Sequence, residues 1–128
     1  MTDLIELKTA RLIGAPLDWA VAMASGAQEM KAKGNGFSCS YELPEGWCWT
    51  NQYEPSTDWS QGGPLFDKHL GSAHHNPHLG DSSCSYSAGP AGAGIWLYGP
   101  TALIAFCRTL VMTKLGDTVQ VPKELIPK

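Results

Sequence analysis

The chain of 128 residues has little positive charge and lacks a long apolar run. Its nine Lys and Arg residues are scattered and its twelve Asp and Glu residues outnumber them, which gives a net charge of -3. Binding to a phosphate backbone requires clustered basic side chains, so we expect no nucleic acid partner. No residue from Ser82 to Cys107 is charged, but glycines and prolines interrupt this segment before it reaches the ~18 apolar residues of a membrane span. We therefore expect no association with a membrane.

A secretion signal and closely spaced cysteines are also lacking. The N-terminal sequence MTDLIELKTARL contains acids and has no apolar core of the kind that signal peptides carry. The four cysteines, Cys39, Cys48, Cys84 and Cys107, show no close pairing along the chain. We therefore expect free thiols in a reducing compartment rather than disulfides.

Motifs for catalysis, nucleotide binding and metal binding are equally hard to find. There is no glycine-rich motif of the Rossmann or P-loop type, and the carboxylates Asp58 and Asp67 are isolated. All four histidines (69, 74, 75 and 78) lie close together with Cys84 near by, and imidazole and thiolate groups suit zinc. The sequence HHNPH is nevertheless typical of a solvated loop. We expect no metal and no cofactor, and a hydrolase of unknown substrate is only a third alternative.

Length and composition predict one α+β domain over residues 1–128, with two main helices packed on a small, mostly antiparallel sheet. The 14 glycines and nine prolines indicate long connections between these elements. The helices are predicted over 16–25 and 100–115, since each begins at a proline and is followed by a glycine. The second helix is apolar over a wide arc that includes Cys107. We expect it to be the most buried element.

Short extended segments at the two ends, 4–7 and 118–121, are expected to join a sheet that also takes strands from the middle of the chain. Residues 83–87 and 94–98 are predicted to form a hairpin around a glycine-rich turn.

Two of the five tryptophans alternate like residues of a strand. Trp47 and Trp49 are separated by Cys48, so both rings are predicted on one face, where we expect them to pack against the core. The alternative is a wall on which a flat ligand stacks, with Tyr53 near by.

The segment STDWSQGGP, residues 56–64, is difficult to explain by packing alone. Gly-Gly-Pro predicts a cap and the first turn of a short helix over 64–69, so residues 56–59 would lie just before a helix N-terminus. Free N–H groups and the positive dipole end attract acceptors there, and anions in particular. The two glycines would let a ligand approach the backbone closely. The alternative is that Asp58 caps a turn and Trp59 fills the core.

Three parts of the chain together resemble the NinX-like family of small bacteriophage proteins. They are LDWAVA (17–22), STDWSQGGPL (56–65), and a C-terminal part made of GPTALIA (99–105), Arg108, KLGD (114–117) and Val121-Pro122. The resemblance covers most of the chain, apart from 31–55 and 69–95. It implies a bacteriophage origin and a location in the host cytoplasm, and it implies no mechanism.

Arg108 lies in the apolar helix, where a buried guanidinium requires a partner. The favoured interpretation is a structural ion pair with Asp58 or Asp18, and the alternative is a bidentate contact to an anionic ligand. The predicted ligand-binding residues are Ser56, Thr57, Asp58, Trp59, Gln61, Gly62, Gly63 and Arg108.

These observations favour a phage accessory protein that binds a small anionic or nucleotide-like molecule without transforming it. Sequestration of a nucleotide-derived host defence signal is one concrete form. The alternative is an adaptor or inhibitor that acts on a host or phage enzyme through the aromatic, uncharged surface of residues 82–98. A homo-oligomer is also left open.

Overall fold

A computed structural model describes residues 3–126, in which three α-helices and eight strands make an α+β fold. The helices are α1 (Ala15–Ala24), α2 (Trp59–Lys68) and α3 (Ala102–Leu115). The strands are β1 (Leu4–Lys8), β2 (Gln28–Lys33), β3 (Gly36–Leu43), β4 (Gly46–Thr50), β5 (Ser72–His75), β6 (Tyr86–Gly89), β7 (Leu97–Gly99) and β8 (Thr118–Pro122). Every strand pairing is antiparallel, so the predicted fold class is confirmed.

Helix α3 forms the centre of the core. The Thr101 hydroxyl caps its N-terminus by accepting a hydrogen bond from the Ile104 N–H at 3.1 Å, and Gly116, with a φ of 97°, ends it. All residues from Leu103 to Val111 are buried, on every side of the helix. The predictions that this helix is the most buried element and that Cys107 lies in the core are confirmed.

Helix α1 packs against α3 and follows its local sequence signals closely. Pro16 lies in its first turn, and Gly26 adopts the left-handed conformation, with a φ of 79°, that ends the helix. Leu17, Ala20 and Val21 are fully buried, as their spacing predicts. The observed bounds differ from the predicted ones by a single residue at each end.

The strands form three separate sheets, ordered β1-β8, β2-β3-β4 and β5-β6-β7. The two end strands form as predicted, but they pair with each other and with no strand from the middle of the described chain. Thr9 explains this arrangement, because its N–H donates to the Asp117 carbonyl and its hydroxyl to the Gly116 carbonyl. The residue after β1 is thereby tied to the segment that joins α3 to β8.

The predicted hairpin is confirmed as the pairing of β6 with β7, although each strand begins about three residues later than expected. Thr109 of α3 fastens this pair to the core. Its buried hydroxyl donates to the Ala88 carbonyl at 2.6 Å and accepts from the Leu97 N–H at 2.8 Å. Gly99 lies so close to α3 that a Cβ atom there would come within 2.6 Å of the Ala105 nitrogen.

Candidate functional site

Helix α2 begins at Trp59, and the prediction of a helix starting at Pro64 is wrong. Asp58 is the N-cap residue, and its carboxylate accepts hydrogen bonds from the Ser60 hydroxyl at 2.7 Å and the Ser60 N–H at 2.9 Å. Both bonds favour the ionised form and lower the pKa of Asp58. A well-formed acidic cap thus starts the helix early, and Pro64 is accommodated within it.

The alternative interpretation of Asp58 and Trp59 is correct for the first residue and wrong for the second. Asp58 caps a helix, as the alternative proposed, but Trp59 does not fill the core. Its side chain is 56% exposed and touches Phe66 edge-on, with ring centroids 6.2 Å apart.

Gln61 holds the loop that precedes α2. Its side-chain oxygen accepts from the Glu54 N–H, and its side-chain nitrogen donates to the Gln52 carbonyl at 3.0 Å. The side chain therefore acts as a clip between α2 and residues 52–54.

The two glycines of the segment have different surroundings. Gly62 is buried, and a Cβ atom there would collide with the Pro55 carbonyl oxygen and the Leu103 side chain. Close packing of α2 on α3 therefore explains this glycine without a ligand. Gly63 has room, with the Trp59 ring at 3.8 Å as its nearest neighbour.

Arg108 is hydrogen-bonded to backbone carbonyls and not to another predicted site residue. Its Nε donates to the Leu12 carbonyl and its Nη1 to the Tyr98 carbonyl, both at 2.8 Å. The predicted ion pair with Asp58 or Asp18 is wrong: Asp58 is bonded to Ser60 at the surface, and Asp18 accepts from the backbone of Ser56. Burial lowers the pKa of Arg108, and backbone carbonyls rather than a carboxylate satisfy its charge.

A cleft of about 490 Å³, which we call the tyrosine cleft, opens between α2 and the β3–β4 hairpin. Its walls include Tyr41, Glu42, Tyr53, Gln61, Pro64 and Lys68. The rings of Tyr41 and Tyr53 lie 5.0 Å apart at an angle of 41°. Burial raises the pKa of both tyrosines, so both hydroxyls stay protonated at neutral pH and can donate hydrogen bonds.

A second cavity, which we call the Asp18 cavity, has a volume of about 320 Å³. Its walls include Asp18, Asn35, Phe37, Asn51, Tyr53 and Thr57. Tyr53 lines both cavities, and Gln52 and Glu54, which bond to the Gln61 side chain, line the Asp18 cavity.

Asp18 is the buried acid of this second cavity. Its side chain is 4% exposed, and Oδ1 accepts a hydrogen bond from the Ser56 N–H at 2.9 Å. Burial raises the pKa of Asp18 from 3.8 to about 7; hydrogen bonding from Ser56 opposes this increase, and the Glu54 carboxylate adds to it. A carboxyl group with such a pKa in a cavity is a candidate functional group.

Trp47 and Trp49 lie on one face of β4, as predicted, but the expectation that they pack against the core is wrong. Their side chains are 53% and 61% exposed. The inner face of this sheet is occupied by Phe37 and Cys39 of β3, both buried, so alternation directs both tryptophans outward. Tyr53 does not join them in a stacking wall, because it packs against Tyr41.

The histidines are solvent-exposed for the most part, but they do not form a simple loop. His74 and His75 belong to β5, where the His75 ring lies 5.0 Å from that of Tyr86, and His78 lies in a short 3-10 helix. His69, at the end of α2, is half-buried. Residues 3–126 bring no three His, Cys, Asp or Glu side chains together in a group that could hold a metal ion. All four cysteines carry free thiols.

The sequence predicted some of the residues that line the two cavities, but not Tyr41 or Asp18. Of the predicted residues, Gln61 lines the tyrosine cleft and Thr57 the Asp18 cavity, whereas Tyr41 and Asp18 were not predicted as ligand contacts. Alternation along β3 carried a signal for Tyr41, which follows Phe37 and Cys39 on the inner face. Asp18 carried none, since an acid in the first turn of a helix is explained by the helix dipole.

Comparison with known proteins identifies the family of this chain. A family model described as Bacteriophage P22, NinX matches residues 8–114, which include α1, α2 and both cavities. The description names no activity. No curated protein matches the chain. Within residues 3–126, no helix combines the length and apolar character needed to cross a bilayer. Because the match covers most of its length, the chain belongs to the bacteriophage P22 NinX family, as the resemblance implied.

Proposed function

We propose that the protein binds a small molecule with a flat, hydrogen-bonding ring in the tyrosine cleft and does not transform it. The observation that carries this proposal is the cleft itself. Its volume of about 490 Å³ lies within the roughly 300–1,000 Å³ typical of small-molecule sites, and two tyrosines form its aromatic wall.

The chemistry of the walls suits a ring with polar edges. The half-buried Tyr41 offers an aromatic surface, and the protonated hydroxyl of Tyr53 offers a donor, whereas the Tyr41 hydroxyl interacts with the Cys48 thiol. Pro64 has no N–H for the carbonyl of Ser60, four residues earlier. Both residues line the cleft, so its helical wall carries a backbone acceptor without its usual helical donor.

The charges of the cleft limit the charge of the ligand. Lys68 and Glu42, both exposed, are its cationic and anionic wall residues. An anionic group of the ligand would contact Lys68 while its ring lies against Tyr41. Glu42 disfavours a highly charged anion, so a singly charged, nucleotide-like molecule fits best. Sequestration of a host defence signal of this class is the biological form that we propose.

The test is native mass spectrometry of the protein purified from phage-infected cells. We expect wild-type protein to retain a small molecule, and Tyr41→Leu and Lys68→Ala to lose it. Lys33→Ala removes an exposed lysine of β2 outside the cleft, so this matched control should retain the molecule. A wild-type protein that carries nothing, or equal retention in all variants, would contradict the proposal. If Lys68→Ala retained the molecule while Tyr41→Leu lost it, the proposed contact between Lys68 and an anionic group would be excluded.

A specific observation also favours the adaptor function as a second candidate. Ile95 is 71% exposed, Tyr98 48% and Trp96 37%, so three large apolar side chains within residues 82–98 are accessible to solvent. Exposed apolar patches of this kind mark protein interaction sites. Ile95→Lys should abolish phage fitness if the protein is an adaptor and leave it unchanged if the tyrosine cleft is the functional site. Tyr41→Leu should show the opposite pattern.

A further inference from the structure

We infer that the Asp18 cavity is a second binding site, which takes the amino-bearing edge of a nucleobase or a similar flat heterocycle. It shares one wall residue, Tyr53, with the tyrosine cleft and is otherwise lined by different residues. The inference therefore goes beyond the proposed function and can be tested separately from it.

The Asp18 carboxylate has an acceptor oxygen to spare. The Ser56 N–H bonds to Oδ1, and the buried Ser56 hydroxyl also favours the charged form, so both donors come from one residue; Asp18 lines a cavity from which a further donor can reach the carboxylate. The charged neighbour that acts on Asp18 is the Glu54 carboxylate, which repels it. A buried carboxylate is unfavourable without donors or a counter-charge. The partner that suits the cavity side of this carboxylate is a group that donates hydrogen bonds, such as an aromatic amine.

The other walls fit the rest of such a ligand. Asn35 and Asn51 each carry a side-chain amide, which both donates and accepts, and both are exposed near the cavity mouth. Phe37 and Tyr53 supply aromatic surface. A volume of about 320 Å³ is at the small end of ligand sites and suits a single heterocycle. Carboxylate, amides and aromatic rings together match the polar edges and flat faces of an amino-substituted base.

The test uses three nucleosides that carry an exocyclic amino group, each paired with an analogue that lacks it. The pairs are adenosine with purine riboside, cytidine with zebularine, and guanosine with inosine. Binding is followed by NMR at the backbone amide of Ser56, which bonds directly to Asp18. We expect at least one amino nucleoside to shift this resonance, and its analogue to bind at least about tenfold more weakly. If no amino nucleoside binds, or if each analogue binds equally well, the inference is wrong.

Asp18→Asn is the decisive variant. It keeps a side-chain oxygen for the Ser56 N–H and replaces Oδ2 by a donor, so it should weaken binding of the amino nucleoside at least about tenfold. Asp67→Asn removes an exposed acid of α2 outside the cavity and is the matched control, with binding unchanged. Unchanged binding in Asp18→Asn would overturn the inference, and it would leave the mass-spectrometric test of the tyrosine cleft unaffected.

A pH titration of the wild-type protein keeps the inference testable if Asp18→Asn does not fold. Binding should weaken as the pH falls from about 8 to about 6, because protonation of Asp18 removes the acceptor. Glu54, Tyr53 and Cys107 are the titratable groups that face Asp18. Burial raises the pKa values of Tyr53 and Cys107, so both stay neutral over this range. Binding that does not change with pH would contradict a contact to the carboxylate.

Discussion

Two regions of the protein each contain a buried charged side chain, and the surroundings of the two charges differ. In the core around α3, Arg108 is 9% exposed and donates to two backbone carbonyls that come from different parts of the chain. In the region around α1 and residues 51–57, Asp18 is 4% exposed, accepts one backbone hydrogen bond and faces a cavity. The first charge is satisfied by backbone carbonyls, whereas burial raises the pKa of the second to about 7.

This difference underlies our proposal that the first region serves structure and that the second binds a ligand. Around α3, small residues allow close approach, and the Thr109 hydroxyl bonds to both β6 and β7. Tyr53, by contrast, lines two cavities, and its neighbours Gln52 and Glu54 are hydrogen-bonded to the side chain of Gln61. Four substitutions test this contrast.

The largest effect is expected for a substitution in the core around α3. Leu110→Ala should lower the free energy of unfolding by about 2–5 kcal/mol, because Leu110 is 1% exposed and its neighbours cannot fill the space. Leu115→Ala, in the same helix at 37% exposure, is the control and should change stability by less than about 0.5 kcal/mol. Urea unfolding measures both. Equal effects would show that α3 is not the centre of the core.

Asp18→Asn should have an effect of opposite sign that depends on pH. The pKa of Asp18 is raised from 3.8 to about 7 in the folded state, so its ionisation destabilises the fold. Below about pH 4 the group is neutral in both states and has no effect. Between about pH 4 and pH 7 the stability falls as pH rises, and above about pH 7 the full penalty, on the order of 4 kcal/mol, is present. The variant should therefore be more stable than wild type at pH 8, and this gain should disappear at pH 4.

The measurement is urea unfolding of both proteins at the two pH values. A difference that stays constant between pH 4 and pH 8 would show that the Asp18 carboxyl is not destabilised by burial. Greater stability together with loss of nucleoside binding would identify Asp18 as a residue retained for function rather than for folding.

Arg108→Met tests the core around α3, where the buried charge is satisfied by backbone carbonyls. The side chain keeps its length, but the Leu12 and Tyr98 carbonyls lose their donors, so stability should fall by roughly 1–3 kcal/mol. Thermal unfolding measures the loss, and the small molecule of the tyrosine cleft should still co-purify. Loss of that molecule with stability unchanged would instead support the ligand contact predicted for Arg108.

The smallest effect is expected for Gln61→Ala. It removes two hydrogen bonds between a side chain and exposed backbone, with an expected loss of about 1 kcal/mol. Gln120→Ala, at an exposed position of β8, is the control and should have no measurable effect. Hydrogen exchange should accelerate at the Glu54 amide in the first variant alone. An unchanged Glu54 amide would show that the clip is not formed in solution.

Much of the fold follows from short-range signals in the sequence. Proline at the start and glycine at the end located α1 and α3 to within two residues, because helix termini depend on the conformational preferences of the residues that form them. The arc of apolar residues in α3 predicted its burial, because apolar side chains are stabilised when they are removed from water. The motifs that resemble the NinX family are also local; LDWAVA, STDWSQGGPL and GPTALIA lie within the matched residues 8–114, and Val121-Pro122 lies outside them.

The start of α2 and the outward direction of Trp47 and Trp49 could not be read from the same signals. Gly-Gly-Pro resembles a helix entrance, but Gly62 is required where α2 meets Pro55 and Leu103. The alternation of β4 put both tryptophans on one face, and only the packing of β3 decided that this face points to solvent.

The site is the part that tertiary structure decided almost alone. The sequence supplied an acid in the first turn of α1 and an arginine in an apolar helix, and it left their partners open. Arg108 bonds to the carbonyl of Leu12, 96 residues away, and Asp18 to the N–H of Ser56, 38 residues away. Whether a buried charge is satisfied depends on backbone groups that only the folded chain brings within hydrogen-bonding distance. For this reason the same physical rule makes Arg108 part of the structure, and it underlies our inference that Asp18 contacts a ligand.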